Sequence, residues 1–173
     1  MAIRLAERGV GEVVTLLKAD LGTELALIDT DRSGDSLVLA VPASADYYDY
    51  PNPVIGDGAA HVEVFESAYD FENPYSDASS GRISYSLPVT VRLTFLNRDG
   101  DSRAEMGQRA RRYASGIAIV FIRKPTLGGA DDKILITGAR VVEPDWTTEG
   151  EDARDIAKGR VTVELELRCS EVL

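Results

Sequence analysis

Apolar residues near the start of the chain recur at the three- and four-residue spacing of an amphipathic helix. They are Ala6, Val10, Val13, Val14, Leu17 and Leu21. Gly9 and Gly11 weaken the first turns, so the firm part of this helix is expected to begin near Glu12. Gly22 could end the helix, or residues 24–28 could extend it, and the sequence leaves this boundary open.

The clearest strand pattern spans residues 82–96, where apolar and polar side chains alternate throughout. A period of two over this length predicts a strand with one covered face. Pro88 lacks the amide hydrogen that a ladder needs, so we expect an edge position, a bulge, or a break into two strands. Shorter alternating runs predict further strands at residues 61–66, 133–142 and 159–169.

A second helix is predicted after the long strand. Ser102 and Glu105 have the spacing of a capping box, in which hydroxyl and carboxylate each accept a hydrogen bond from a free backbone amide. The apolar stripe that follows comprises Met106, Ala110, Tyr113, Ala114, Ile117 and Phe121. The helix should therefore bury that stripe against the sheet.

The order of these elements is helix, strand, long strand, helix, strand, strand. It predicts an α+β fold, with a mainly antiparallel sheet of about four or five strands and two helices on one face. The 173 residues suit a single domain spanning 1–173. Long loop insertions are expected at 42–60, 67–82 and 143–158, where Pro, Gly and acidic residues concentrate.

The chain is acidic, with 19 Lys and Arg against 29 Asp and Glu and a net charge of −10. This balance argues against a protein that grips nucleic acid over its whole surface. A single cysteine, Cys169, excludes an internal disulfide framework. The longest apolar run, residues 116–122, is far shorter than the roughly 20 residues of a membrane span, so we expect a protein made in the cytoplasm, without a membrane partner.

Candidate catalytic or metal-binding residues are few. His61 is the only imidazole, and Asp29 and Asp31 begin a sequence that resembles a calcium loop but lacks its closing glutamate. A small metal-dependent or hydrolytic enzyme therefore stays an alternative. The more ordinary interpretation is a polar residue at a strand start and a solvated turn, so no catalytic residue, metal site or cofactor is predicted.

Charge and aromatic residues are unevenly distributed. Residues 43–82 contain eight acids, one base and five of the seven tyrosines, whereas residues 101–124 contain six bases and two acids. Arg111 and Arg112 are expected to project away from the apolar stripe of the second helix. Two such segments could be complementary surfaces of adjacent copies, or could fold onto their own domain. The predicted interface residues are Tyr47, Tyr48, Tyr50, Tyr69, Tyr75, Arg109, Arg111 and Arg112.

The order of the elements along the chain gives a further indication. A Pro- and Tyr-rich loop at 42–53 follows the amphipathic helix, strands at 61–66 and 83–96 lead to a helix carrying the sequence RYASGIA at 112–118, and an alternating strand closes the chain at 161–169. This order resembles the tail terminator (tail completion) and related neck proteins of long-tailed bacteriophages, over almost the whole chain.

The resemblance implies a structural virion protein without catalytic residues. Such subunits typically form a hexameric ring at the head-proximal end of the tail tube, end tube polymerisation and provide the surface that joins the head. The implied partners are other copies, the tail tube protein and a head-side connector or neck protein, while DNA passes through without sequence-specific binding. Another head–tail connector or neck subunit is the alternative within this class, and a module that binds a ligand near Tyr47 to Tyr50 is a further one.

Overall fold

The computed structural model describes residues 5–35, 37–51, 60–67, 75–77, 82–97, 101–128, 133–148 and 156–172. Its elements in chain order are α1 (Leu5–Asp31), a 3-10 turn (Ser44–Asp46), β1 (Tyr47–Tyr48), β2 (Ala60–Glu66), β3 (Tyr75–Asp77), β4 (Arg82–Leu96), α2 (Arg103–Arg123), β5 (Thr126–Leu127), β6 (Lys133–Thr148) and β7 (Ile156–Val172). This is the predicted α+β class.

The strands form one sheet in the order β1-β2-β4-β7-β6-β5, with β3 paired to β4. All neighbours are antiparallel except β1 and β2, which are parallel. Among the described residues the sheet has seven strands, more than the predicted four or five. The additional strands β1, β3 and β5 are two or three residues long, and β1 and β3 form inside segments that were expected to be loops.

Helix α1 begins earlier and ends later than the sequence indicated. It runs through Gly9, Gly11 and Gly22 without interruption, so the expected start near Glu12 is wrong. The reason is close packing: a Cβ on Gly9 would lie 2.8 Å from Leu87 Cδ2. Tertiary contact thus outweighs the low helix propensity of glycine.

The core lies between the two helices and the inner face of the sheet. The predicted apolar stripe of α2 is buried, as are the inward side chains from Leu87 to Phe95 in β4 and from Val161 to Cys169 in β7. The rings of Phe95 and Tyr113 meet there with centroids 4.9 Å apart. Cys169 belongs to this core, and burial raises the pKa of its thiol.

Pro88 lies within an unbroken β4, so of the three expectations for this proline the break into two strands is wrong. On one side β4 pairs with β7 along its whole length. On the other side β2 ends opposite Val89 and β3 reaches only to Ser84, which leaves Pro88 facing a gap between described strands. Its carbonyl accepts a hydrogen bond from the Ser67 amide at 3.1 Å. The position is a local edge, where a missing amide hydrogen costs little.

The predicted loop over 143–158 is instead largely a continuation of two strands. Strand β6 extends to Thr148 and β7 begins at Ile156, and their pairing shifts register between Val142 and Asp145. Residues 149–155 lie outside the described residues, as do residues 52–59 of the predicted loop at 42–60 and residues 68–74 and 78–81 of the predicted loop at 67–82. The acidic composition of residues 143–158 therefore led to the prediction of a loop where the end of β6 and the start of β7 pair.

Candidate interaction surfaces

Residues 37–41 cross the molecule without regular secondary structure, between α1 and the 3-10 turn. Leu37 and Leu39 point inward and are buried, whereas Val38 and Val41 are exposed. We call this stretch the strap. Its alternation is that of a strand, yet no described strand lies beside it, so its backbone groups need other partners.

Side chains of α2 supply those partners. Arg109 Nη1 donates to the carbonyl of Val38, and Arg112 Nη1 donates to that of Leu37 at 3.1 Å. The hydroxyl of Tyr113 donates to the carbonyl of Ala40 at 2.9 Å. Burial raises the pKa of Tyr113 far above its usual value, which keeps the hydroxyl protonated as a donor. One face of α2 thus takes the place of a neighbouring strand.

Carboxylates complete this clamp. Asp101 Oδ2 lies 2.7 Å from Arg109 Nη2, and both side chains are buried. Asp35 pairs with Arg112, whose guanidinium lowers the pKa of that carboxyl. From α1, Asp29 Oδ2 accepts the amide of Leu39 at 2.9 Å. The strap is therefore held from both helices by charge-assisted hydrogen bonds, which are stronger than neutral ones.

This geometry corrects part of the predicted interface. Arg109 and Arg112 are only 7% and 6% exposed. The expectation that Arg112 projects away from the core is wrong, because its side chain turns into the strap. Positions 109 and 112 lie three residues apart and so share one face of the helix, a spacing that could have indicated a common target. Arg111 is exposed, and its role in an interface stays a prediction.

Arg111 lines a groove of about 390 Å³ between the end of α1 and the middle of α2. The groove is bordered by Ile28, Asp31, Arg32, Gln108, Arg111, Arg112 and Ser115. Among the described residues, Arg32 and Arg111 have no carboxylate within ion-pair distance. Within that part of the chain, the groove therefore presents two guanidinium groups without an ion pair, on a protein whose net charge is −10.

The predicted tyrosines fall into different environments. Tyr47 is buried against α1, with Lys18 Nζ 5.9 Å from its ring centroid, and burial beside Asp46 raises its pKa to about 12. Tyr48 is half-buried and meets Tyr50 edge-on at 5.8 Å. Tyr50 is 53% exposed. Of the aromatic residues described at the β1 edge, this pair is thus the accessible one.

The structure says less about the other two predicted interface tyrosines, Tyr69 and Tyr75. Tyr69 lies outside the described residues. The backbone of Tyr75 pairs with Ser84 in the β3–β4 ladder. Their proposed contact roles stay predictions.

His61 lies on the outer face of the sheet and is buried to 4% exposure. Its neighbours include Tyr48, at a ring distance of 6.2 Å, and Glu63, whose carboxylate lies 3.4 Å from Arg92 Nη1. Burial is the main cause that lowers the pKa of His61. Cys169 points to the opposite, helix-covered face, so a Cys–His catalytic pair is geometrically excluded.

The turn that resembled a calcium loop does not have that geometry. Asp29 and Asp31 lie in the last turn of α1, and Asp29 is occupied by the strap amide. Within the described part of the chain, no group of three or more His, Cys, Asp or Glu side chains is arranged to hold a metal ion. None of the described helices is both long and apolar enough to cross a membrane.

Comparison with known proteins adds only a distant likeness. No protein family matches the sequence, and neither does any curated protein. Among the solved structures that match, one aligns over 90% of this chain and 94% of its own, at 15% sequence identity and a TM-score of 0.40. A likeness at this level carries no statement about function.

Proposed function

We propose that this protein is a structural subunit of a phage virion, a tail terminator that forms a ring on the end of the tail tube. In this role it stops tube polymerisation and presents the surface that joins the head. Its partners are other copies of the chain, the tail tube protein and a head-side connector. The proposal places it at the tail–neck junction, without catalytic residue or cofactor.

One observation carries this proposal: the single sheet ends in two unlike, accessible edges. One edge carries Tyr48, Asp49 and Tyr50. The other edge is formed by β6, and no described strand covers most of its length. A closed ring needs a heterologous interface, in which one patch meets a different patch of the next copy. The element order that resembles the terminator family supplies the kind of ring.

The basic groove at Arg32 and Arg111 fits a separate partner. Because Arg109 and Arg112 serve the strap, much of the basic segment is used within the chain, and contact between copies need not pass through α2. An anionic surface of the tube or of the head-side protein would match the remaining two guanidinium groups. This leaves the sheet edges for contacts between copies.

The proposal is tested by adding the protein to polymerising tail tube protein and measuring tube length by electron microscopy. We expect short tubes that carry a ring at one end. Tubes that elongate as they do without the protein, and carry nothing at their ends, would overturn the proposal. An Arg32→Ala/Arg111→Ala double variant should assemble normally but bind the tube or the head-side protein more weakly.

Two of the alternatives, a neck subunit and an enzyme, predict different results. A neck subunit would bind the head-side protein and leave tube length unchanged, which a pull-down against each partner separates. An enzyme would depend on His61 or on Asp31. If His61→Ala and Asp31→Ala leave every function of the protein intact, the enzyme alternative is excluded.

A further inference from the structure

The outer edge of β6 is almost entirely open among the described residues. Strand β5 covers only Ile134 and Leu135, and the amide of Ile136 then donates to the carbonyl of Pro125 at 2.8 Å. Beyond that point no described strand borders β6 on this side. An uncovered strand edge offers a row of backbone donors and acceptors to another chain.

The register identifies which amides face outward. The Pro88 carbonyl accepts the Ser67 amide on the β2 side, so the backbone groups of Pro88 point away from β7. Glu166, which lies opposite Pro88 on β7, therefore directs its own N–H and C=O groups to β6. Glu166 lies opposite Gly138, next to a bulge at which Thr137 Oγ1 bonds to the Glu166 carbonyl at 3.0 Å. Backbone direction then alternates along an antiparallel ladder.

By this alternation, Gly138 and Arg140 bond to β7, whereas Ala139 and Val141 turn their N–H and C=O groups to the open edge. The side chains of these two outward residues are also accessible, and Val141 is 48% exposed. Register shifts bound the regular stretch at 138–142. Five residues is an ordinary strand length, so this stretch can accept one further strand.

The opposite edge of the sheet ends in β1, which pairs with β2 on one side. No described strand lies on its other side. Exposed Tyr50 and Asp49 follow it directly. Asp49 and the exposed Arg140 of β6 each have no ion pair among the described residues. Asp49 and Arg140 thus offer one pair of opposite charges across the two edges, in addition to Glu164, which lies opposite Arg140 on β7. Each edge also carries accessible apolar surface.

Strand directions also fit this contact. β1 is parallel to β2 and therefore antiparallel to β4, whereas β6 is antiparallel to β7 and therefore parallel to β4. β1 and β6 consequently run in opposite directions at the two edges. A neighbour rotated about an axis along the strands brings its β1 antiparallel to β6, which is the slightly more stable pairing.

We propose that the β1 edge of one copy of this chain adds to residues 138–142 of β6 in the next copy and continues the sheet between subunits. Tyr50 then covers Val141, and Asp49 lies near Arg140. The inference rests on the proposed ring for its closure, because the same heterologous contact would otherwise propagate as an open filament.

The test is sedimentation velocity over a concentration series with single-edge variants. In Val141→Pro the pyrrolidine removes an outward amide hydrogen without touching the β7 ladder, and it should abolish association while leaving thermal unfolding unchanged. Val141→Lys is the second variant should the proline variant fold poorly. Tyr50→Lys should abolish association from the opposite edge. Ile122→Lys, at a 75% exposed position on α2, is the matched control and should assemble as the wild type does.

Mixing gives the decisive result. Val141→Pro retains a sound β1 edge and Tyr50→Lys a sound β6 edge, so an equimolar mixture should form heterodimers and nothing larger. A wild-type chain that stays monomeric at its highest soluble concentration overturns the inference. So does association that survives Val141→Pro, or a mixture without heterodimer. If edge-dependent association occurs but tubes are not capped, the terminator function fails while this interface stands.

Discussion

Phe95 of β4 occupies the space above Gly159, its partner across the β4–β7 ladder. A Cβ built on Gly159 would lie 2.3 Å from Phe95 Cζ, far inside van der Waals contact. Phe95 is itself held by the ring of Tyr113 at 4.9 Å. The aromatic pair that joins α2 to the sheet therefore depends on the absence of one side chain in β7.

Gly159→Ala should destabilise the protein by about 1–3 kcal/mol, because the added methyl group forces the Phe95 ring out of its packed position. The free energy of unfolding in urea measures this. Gly11→Ala in α1 is the control: a methyl group added there would have no described atom within 4 Å, so the change should stabilise the helix by about 0.5–1 kcal/mol. Equal effects at both positions would contradict the packing argument.

Arg109→Ala should destabilise the protein by about 3–5 kcal/mol, since it leaves the buried Asp101 carboxylate and the Val38 carbonyl without this partner. Arg111→Ala, two residues along the same helix and exposed, should change the free energy of unfolding by less than about 0.5 kcal/mol. Chemical denaturation of both variants provides the comparison. Similar losses would mean that the clamp of the strap contributes nothing.

His61 predicts a pH dependence of stability. Burial holds its pKa below the usual value of 6.5, against the opposing influence of Glu63 and Asp46. The unfolded chain then binds a proton more readily than the folded one, so stability is full above pH 6.5 and falls as pH decreases towards the folded pKa.

The measurement is the difference in free energy of unfolding between the wild type and His61→Gln across this pH range. Carboxylates that titrate in both proteins cancel in the difference. The wild type should lose stability relative to the variant as pH falls. A difference that is constant with pH would contradict a buried neutral imidazole.

An element of this fold could be predicted from the sequence where its cause lies within the element itself. The alternation of residues 82–96 and the stripe of α2 predicted β4 and the helix because burial of one face imposes a fixed period on the sequence. Strands of two or three residues have no period to detect, and β1 forms only because β2 offers an edge. Their existence could not be seen in the chain itself.

The clamp shows the same limit. Arg112 and Asp35 lie 77 positions apart in sequence, and nothing near either residue indicates the other. Counting bases along residues 101–124 correctly identified a basic helix but could not separate inward from outward arginines. Gly9 and Gly22 likewise suggested a weak helix when only their neighbours in sequence were considered. Their presence is explained by close packing against other parts of the fold.

The start of α2 offers the last prediction, because its cap was predicted from sequence and is present. Ser102 Oγ accepts the Glu105 amide at 3.3 Å, and Glu105 Oε2 accepts the Ser102 amide at 2.7 Å. Hydrogen bonding of the Glu105 carboxylate to the Ser102 side chain, and then to the Ser102 backbone amide, lowers the pKa of Glu105. Ser102→Ala should cost about 0.5–2 kcal/mol, because a helix-start amide loses its acceptor.

Ser115→Ala is the matched control for this change. Its hydroxyl donates to the Arg111 carbonyl at 2.9 Å within the helix. That carbonyl already accepts a backbone hydrogen bond of the helix, so the hydroxyl is not expected to add stability. Alanine has the higher helix propensity, so this variant should be as stable as the wild type or slightly more so. Urea denaturation of both serine variants separates a cap from an ordinary helical hydroxyl. If Ser115→Ala proves the more damaging of the two, the start of α2 is stabilised by packing rather than by its capping box.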